Sequence, residues 1–289
     1  MEKGKDTKNQ SIWLQSWARF RHHKLAMFGL VVLGSLVILT AFAPLFSRYS
    51  PSAMDLRYSY SPPTSLHWLG TDGVGRDIWT RLLYGGRVSI VVGFLAVTVS
   101  MGIAIILGGL AGYFGGWFDL LIMRLTDVAM SVPPLVMIIT LVAIVGPSLR
   151  NTILAIGFLY WPGPARIVRG QMLSLREKDF SMAARSLGLS SWRIIFRHLL
   201  PNALAPIIVA ATLQLASAIL LEAALSFLGL GIQPPTPSWG NMLQVAQTLT
   251  ILEQRLWMWL PPGLVIILCV LSVNFIGDGF RDALDPYSR

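Results

Sequence analysis

The chain has 289 residues, 54% hydrophobic and 13% charged, with a net charge of +9 and a mean hydropathy of +0.62. Soluble domains carry about 25% charged residues, so this composition excludes an ordinary water-soluble fold. Nucleic acid is excluded as a partner because the basic residues stand in blocks between long apolar runs, where membrane proteins place them to set topology.

Residues 1–24 are too polar, and too long before the first apolar run, for a cleavable signal sequence, and are expected to remain as a cytoplasmic tail. Trp13, Trp17 and Phe20 recur there at helical spacing beside Arg19 and Arg21. That pattern fits either a short helix in the lipid headgroup layer or an ordinary basic flank with interfacial aromatics. His22 and His23 are adjacent, point to different sides of a helix and read as solvated flank residues.

Crossing a bilayer core of about 30 Å takes about 20 apolar residues as a helix. Charge-poor runs predict spans over 25–46, 88–112, 128–147, 203–225 and 257–277, and a shorter run, 151–165, ends at Pro162 and Pro164. Lys and Arg decide whether that run crosses. With six spans and the N-terminus inside, 16 basic residues are cytoplasmic and 7 external, whereas without the short run the balance inverts to 8 against 15. The expected fold class is all-α, a polytopic inner-membrane protein with about six transmembrane helices in one lipid-embedded domain, 25–280. Both termini are then cytoplasmic, with a short C-terminal tail, 281–289.

Between the first two spans, Gly70, Asp72, Gly75, Arg76 and Asp77 predict a tight turn held by Asp and Arg hydrogen bonds. A helix should follow from about Asp77 to Tyr84. A structural turn is favoured there over contact with substrate or partner. Of the intramembrane carboxylates, Asp127 lies near the cytoplasmic boundary and should pair with Arg124. Glu222, near the outer end of its span, either hydrogen-bonds a neighbouring span or lines a path for solute. Pro133-Pro134 and Pro162-Gly163-Pro164 should kink or end helices. The lone Cys269 rules out an intrachain disulfide or a Cys-based metal site.

The segment 166–201 is far longer than a connection between spans needs. Its first half favours helix and stops at Gly188, which can adopt the left-handed conformation that ends helices. Ser190 or Ser191 can cap a second helix, in which Trp192, Ile195, Phe196 and Leu199 form one apolar stripe while Arg193 and Arg197 share another face. Ala183, Ala184 and Gly188 leave room for another protein to approach the corner.

Ala183-Ala184, three residues, Gly188, and twelve residues before Pro201 resemble the Glu-Ala-Ala-xxx-Gly loop of binding-protein-dependent ABC importer permeases, closest to the second, C-type permease of the dipeptide, oligopeptide and nickel branch. Gly70-Thr71-Asp72 with Gly75-Arg76-Asp77, Leu225 to Gly231, Gln233 to Gly240, Gly277-Asp278 with Arg281-Asp282, and Leu284-Asp285-Pro286 match in the same order. The resemblance implies that the loop, through Ala183, Ala184, Gly188, Leu189, Trp192, Arg193 and Pro201, docks on an ATPase. It also implies as partners a related second permease, one or two ABC ATPase subunits and an external solute-binding protein. The implied cargo is a dipeptide, an oligopeptide or a nickel chelate. The family's usual Glu before the two alanines is Met182 here, with Asp179 and Glu177 as the nearest acidic substitutes.

No phosphate-binding Gly-x-x-x-x-Gly-Lys-Ser/Thr run occurs, so ATP and Mg would be used by the partner subunits and no cofactor is expected on this chain. With no His-Glu-x-x-His or Gly-x-Ser-x-Gly motif, an intramembrane enzyme is disfavoured. The rival class is an ATP-independent channel or secondary transporter.

Overall fold

The computed structural model describes residues 12–284, and side chains within 17–283. The rest of both tails, and the Trp13 side chain, lie outside the described residues. Among these residues all regular structure is helical apart from one antiparallel bridge between Thr71 and Asp77. The first helices are α1 (Ile12–His22), α2 (Lys24–Ala41), α3 (Ala43–Phe46) and α4 (Ile78–Phe114). Next come α5 (Gly116–Ser131), α6 (Pro134–Val145), α7 (Leu149–Leu159), α8 (Pro162–Arg176) and α9 (Asp179–Ser186). Then α10 (Ser191–Ile194) runs through a π-helical turn, Ile195–Leu199, into α11 (Leu200–Phe227), before α12 (Trp239–Leu243), α13 (Leu249–Gln254) and α14 (Leu256–Leu284).

Four of these are long and apolar enough to cross a membrane: α2, α4, the continuous helix Ser191–Phe227, and α14. The pair α5 and α6, bent by 82° at Val132-Pro133, makes a fifth if taken as one span. Two consecutive prolines remove two N–H donors and restrict the residue before them, which breaks the run there.

Phe20 is buried against Phe280, ring centroids 4.9 Å apart, and Trp17 stacks on Phe20. His23 is a joint and not the solvated residue expected: its Nδ1 accepts the Ala26 N–H at 3.0 Å and its Nε2 lies 3.4 Å from Asp282. The two described chain ends therefore share one face, the proximal face. Helices α2 and α14 pack along small residues: a Cβ on Gly29 would stand 2.7 Å from the Ser272 carbonyl, and one on Gly279 2.3 Å from the Ala26 Cβ. Such contacts let backbones approach in lipid, where burial against lipid gives helices no hydrophobic drive to associate.

Helix α4 has 37 residues, about 55 Å at 1.5 Å per residue, so it overhangs a bilayer core of about 30 Å. The expected interruption after Tyr84 is absent. Gly85-Gly86 stays helical because its missing side chains admit a neighbour: a Cβ on Gly86 would lie 2.5 Å from Trp239. Likewise α7 and α8 do not end at 165. Gly157 closes on Val99, and a Cβ on Gly108 would stand 2.4 Å from the Ala165 carbonyl oxygen and one on Gly112 2.6 Å from that of Arg169. The pair thus runs beside α4, in the same direction, to Arg176, and only then does the chain turn away.

Candidate functional site

The loop beyond Arg176 is built as a corner. Helix α9 ends with Gly188 at φ 71°, where the Gly188 N–H donates to the Arg185 carbonyl (2.9 Å) and the Leu189 N–H to the Ala184 carbonyl (3.2 Å). Those two bonds satisfy the last carbonyls of the helix in the Schellman arrangement. Ala184 is buried and Ala183 exposed, so the alanine pair has one side on the protein and one outward. Leu189 is half-buried in the core and does not present itself at the corner; the outward position belongs to Leu187, 80% exposed. Phe180 and Met182 are exposed with it, while Glu177 is bonded to Arg176 at 2.9 Å and Asp179 opens α9 on the surface.

The expected apolar stripe divides in two. Ile195 and Leu199 are buried, whereas Trp192 and Phe196 stack on each other, centroids 5.8 Å apart, and remain half-exposed. Ser190 holds the N-cap position without a side-chain cap bond, and Arg193 is exposed. The π turn just before Pro201 offsets the donor that proline lacks: Leu200 N–H bonds back to the Ile195 carbonyl, and the helix continues without a break.

Three arginines on one face of α8 tie this corner to the bundle. Arg166 Nη2 donates to Asp127 Oδ1 at 2.6 Å, closer than the expected partner Arg124 at 3.8 Å. Arg169 forms a two-pronged pair with Asp119 in the first turn of α5. Arg176 donates to the Gly112 and Tyr113 carbonyls, capping the end of α4 where a cation is favoured by the helix dipole. Arg185 of α9 adds a cation–π contact, 5.1 Å above Tyr113.

At the opposite, distal face, Glu222 is fully buried and acts as a polar knot. Its Oε2 accepts from Ser89 of α4 (2.7 Å) and its Oε1 from Ser226 (2.8 Å). Those hydroxyls in turn accept the Trp239 and Ile232 N–H groups. Glu222 thereby joins α4, α11 and the segment carrying α12. In this structure it makes the interspan contact that was one of its two expected roles.

The outer turn is held by hydrogen bonds from its Asp and Arg residues. Asp72 Oδ1 accepts the Val74 and Arg76 N–H groups and its Oδ2 the Arg76 Nε at 2.6 Å. Asp77 caps α4 at Thr80 N (2.8 Å) and meets His67 Nδ1 at 2.9 Å. Gly75, at φ 76°, admits no side chain: a Cβ would stand 1.8 Å from the Asp55 carbonyl oxygen.

Residues 104–289 match the family model described as "Binding-protein-dependent transport system inner membrane component", and residues 11–63 match "N-terminal TM domain of oligopeptide transport permease C". The chain belongs to this permease family. It is 46% identical to the dipeptide transport system permease protein DppC of Alkalihalophilus pseudofirmus, over 96% of this chain and 90% of that one. It is 40% identical to the oligopeptide transport system permease protein OppC of Bacillus subtilis, over 98% and 92%. The solved MetNI methionine ABC transporter in an inward-facing form shares the fold, with a TM-score of 0.57 at 21% identity, covering 71% of this chain and 96% of that one.

The permease also holds a feature that motif reading missed. A cavity of about 410 Å³ opens where two helix irregularities, the α5–α6 bend at Pro134 and the α7–α8 break at Tyr160 to Pro164, face the Ala210 to Ser217 stretch of α11. Pro164 has no N–H for the Tyr160 carbonyl, and Gln214 supplies one: its Nε2 donates to Tyr160 O at 3.0 Å and to Ser100 Oγ at 2.6 Å. The prolines flagged in the sequence were the available signal, since helix breaks in a membrane persist where they line a cavity.

Proposed function

We propose that this chain is the membrane-spanning permease subunit of an ATP-driven peptide importer in the inner membrane. It crosses six times, with α7–α8 as the fourth span and the proximal face cytoplasmic. Both chain ends on one face, and the Arg-rich α8–α11 corner beside them, support that orientation. The peptide assignment rests on the names of the relatives, which are dipeptide and oligopeptide permeases.

One observation carries the mechanism. The two helices that lead into and out of the corner segment, α8 and α11, also wall the cavity, through Pro164 and Ile167 on one side and Leu213 and Gln214 on the other. In our reading the exposed Phe180, Met182 and Leu187 seat on a separate ATPase. When two ATPases close around ATP and Mg, the corner moves and the helix breaks at Pro134 and Tyr160 hinge, opening the cavity alternately to a docked binding protein and to the cytoplasm. A related second permease completes the passage. Such a device requires each ligand to prefer one of two packed states.

The test is ATPase stimulation by loaded binding protein in proteoliposomes holding the full complex. Leu187 is so exposed that Leu187→Arg leaves folding intact, and we expect it to cut stimulated ATPase and peptide uptake together by at least tenfold, the loss of about 1.4 kcal/mol of docking energy. Full stimulation with Leu187→Arg would refute the docking face. Uptake that persists after ATP depletion would instead favour an ion-driven transporter.

A further inference from the structure

On the distal face a second cavity, about 210 Å³, lies between the outer turn, the start of α4 and the α12 segment. Its charged lining residues are Asp72, Arg76 and Arg81, two cations against one anion. Asp72 is committed to Arg76 through the 2.6 Å bond and two backbone N–H groups. Arg81 is 5% exposed, yet its guanidinium has one hydrogen bond, Nη1 to the Pro51 carbonyl at 3.2 Å, among the described residues. Its Nε stands 3.8 Å from Asp72 Oδ2, beyond hydrogen-bond range. A guanidinium carries five N–H donors in a rigid fork that suits a carboxylate, so most of this buried fork is unused. Gln244 lines the same cavity, and its side-chain amide makes no hydrogen bond among the described residues. Buried cations are ordinarily paired, and here Arg81 has only the more distant share of one carboxylate, Asp72, which Arg76 holds at 2.6 Å.

We infer that this cavity is a carboxylate-binding site at the outer mouth of the permease, in which the Arg81 fork receives the C-terminal carboxylate of the entering peptide. The inference rests on the peptide-import reading and names which end of the solute the permease senses. An acidic side chain of the binding protein would offer the same chemistry. The small, recessed cavity, walled by α12 and by Met258 at the start of α14, favours the solute.

The experiment measures uptake of tri-L-alanine and of its C-terminal amide by the reconstituted complex, per docked and solute-saturated binding protein. The wild type should move the free acid roughly tenfold faster than the amide, the factor that one charge-assisted hydrogen bond supplies. Arg81→Gln should bring the acid down to the rate of the amide and leave the amide unchanged. Gln244→Glu keeps Arg81 and its Pro51 contact while placing a competing carboxylate on the cavity wall; it should have the same effect, which guards against misfolding of the first variant. If the wild type imports neither peptide, the peptide reading fails. If it imports both and the two variants keep the full preference for the acid, the site is refuted while that reading stands. Equal slowing of acid and amide, tracking weaker docking of the binding protein, would also overturn the assignment to solute.

Discussion

Replacing Glu222 by Met separates a structural knot from a path residue. The substitution keeps the length of the side chain and removes both acceptors, leaving the Ser89 and Ser226 hydroxyl protons unpaired. Those hydroxyls cannot simply turn away, because each also accepts a backbone N–H, from Trp239 and Ile232, that fixes its direction. A buried polar group left without a partner costs about 1–3 kcal/mol, so two should cost roughly 2–6 kcal/mol. The assay is reversible unfolding of the purified chain in mixed micelles, alongside uptake by the folded fraction in proteoliposomes. The expected result is a loss of stability in that range with unchanged solute preference. A variant of wild-type stability that no longer transports would refute the knot and make Glu222 part of the path.

Gly108→Ala should destabilise by about 1–3 kcal/mol through overpacking, since its Cβ would sit 2.4 Å from the Ala165 carbonyl; the neighbouring Gly109→Ala meets nothing within 4 Å and should be neutral or stabilising by up to about 1 kcal/mol. The same unfolding assay reads both, and equal effects would undo the argument for close α4–α8 packing. Gly188→Ala should cost about 1–2 kcal/mol because φ there is 71° and L-residues are strained in that region, while space around it is open. Gly188→Asn, which tolerates the left-handed conformation, should recover much of that loss in stability and in stimulated ATPase activity.

What could be read in the sequence follows from how local each cause is. The Gly188 corner, the Asp77 cap and the Asp72 turn depend on residues within a few positions of one another, and the chain shows them in order. Pro162 and Pro164 end one helix and open the next, as prolines imply, but the run 151–165 did not show that the chain carries on beside α4 to Arg176. The break is bridged by a hydrogen bond from Gln214, fifty-four residues beyond the Tyr160 carbonyl it serves. The helix expected to stop near Tyr84 runs on through Gly85-Gly86 for an equally distant reason. A glycine pair looks the same whether it breaks a helix or receives a tryptophan, and Trp239 is far along the chain. Glu222 was flagged correctly as unusual, but its role was set by Ser89, 133 positions away. The apolar stripe divided because its two i, i+4 pairs lie on adjoining sides of the helix, and only Ile195 and Leu199 face the core while Trp192 and Phe196 face outward.

The long-range ties also account for why the corner can report on the cavity. Arg166, Arg169 and Arg176 fasten α8 to α5 and to the end of α4 at three heights, so in the proposed importer α8 and the bent α5 would form one lever. Above that lever, the α7–α8 break is held by the amide bridge from Gln214, whose own oxygen is buried without a partner. A stranded acceptor raises the energy of this packing by about 1–3 kcal/mol. That amount is small enough to be offset by the bonds of a second arrangement of α8 against α11. The group that latches the break therefore keeps an acceptor free for a bond in another packing, as the proposed two-state hinge at the cavity would require.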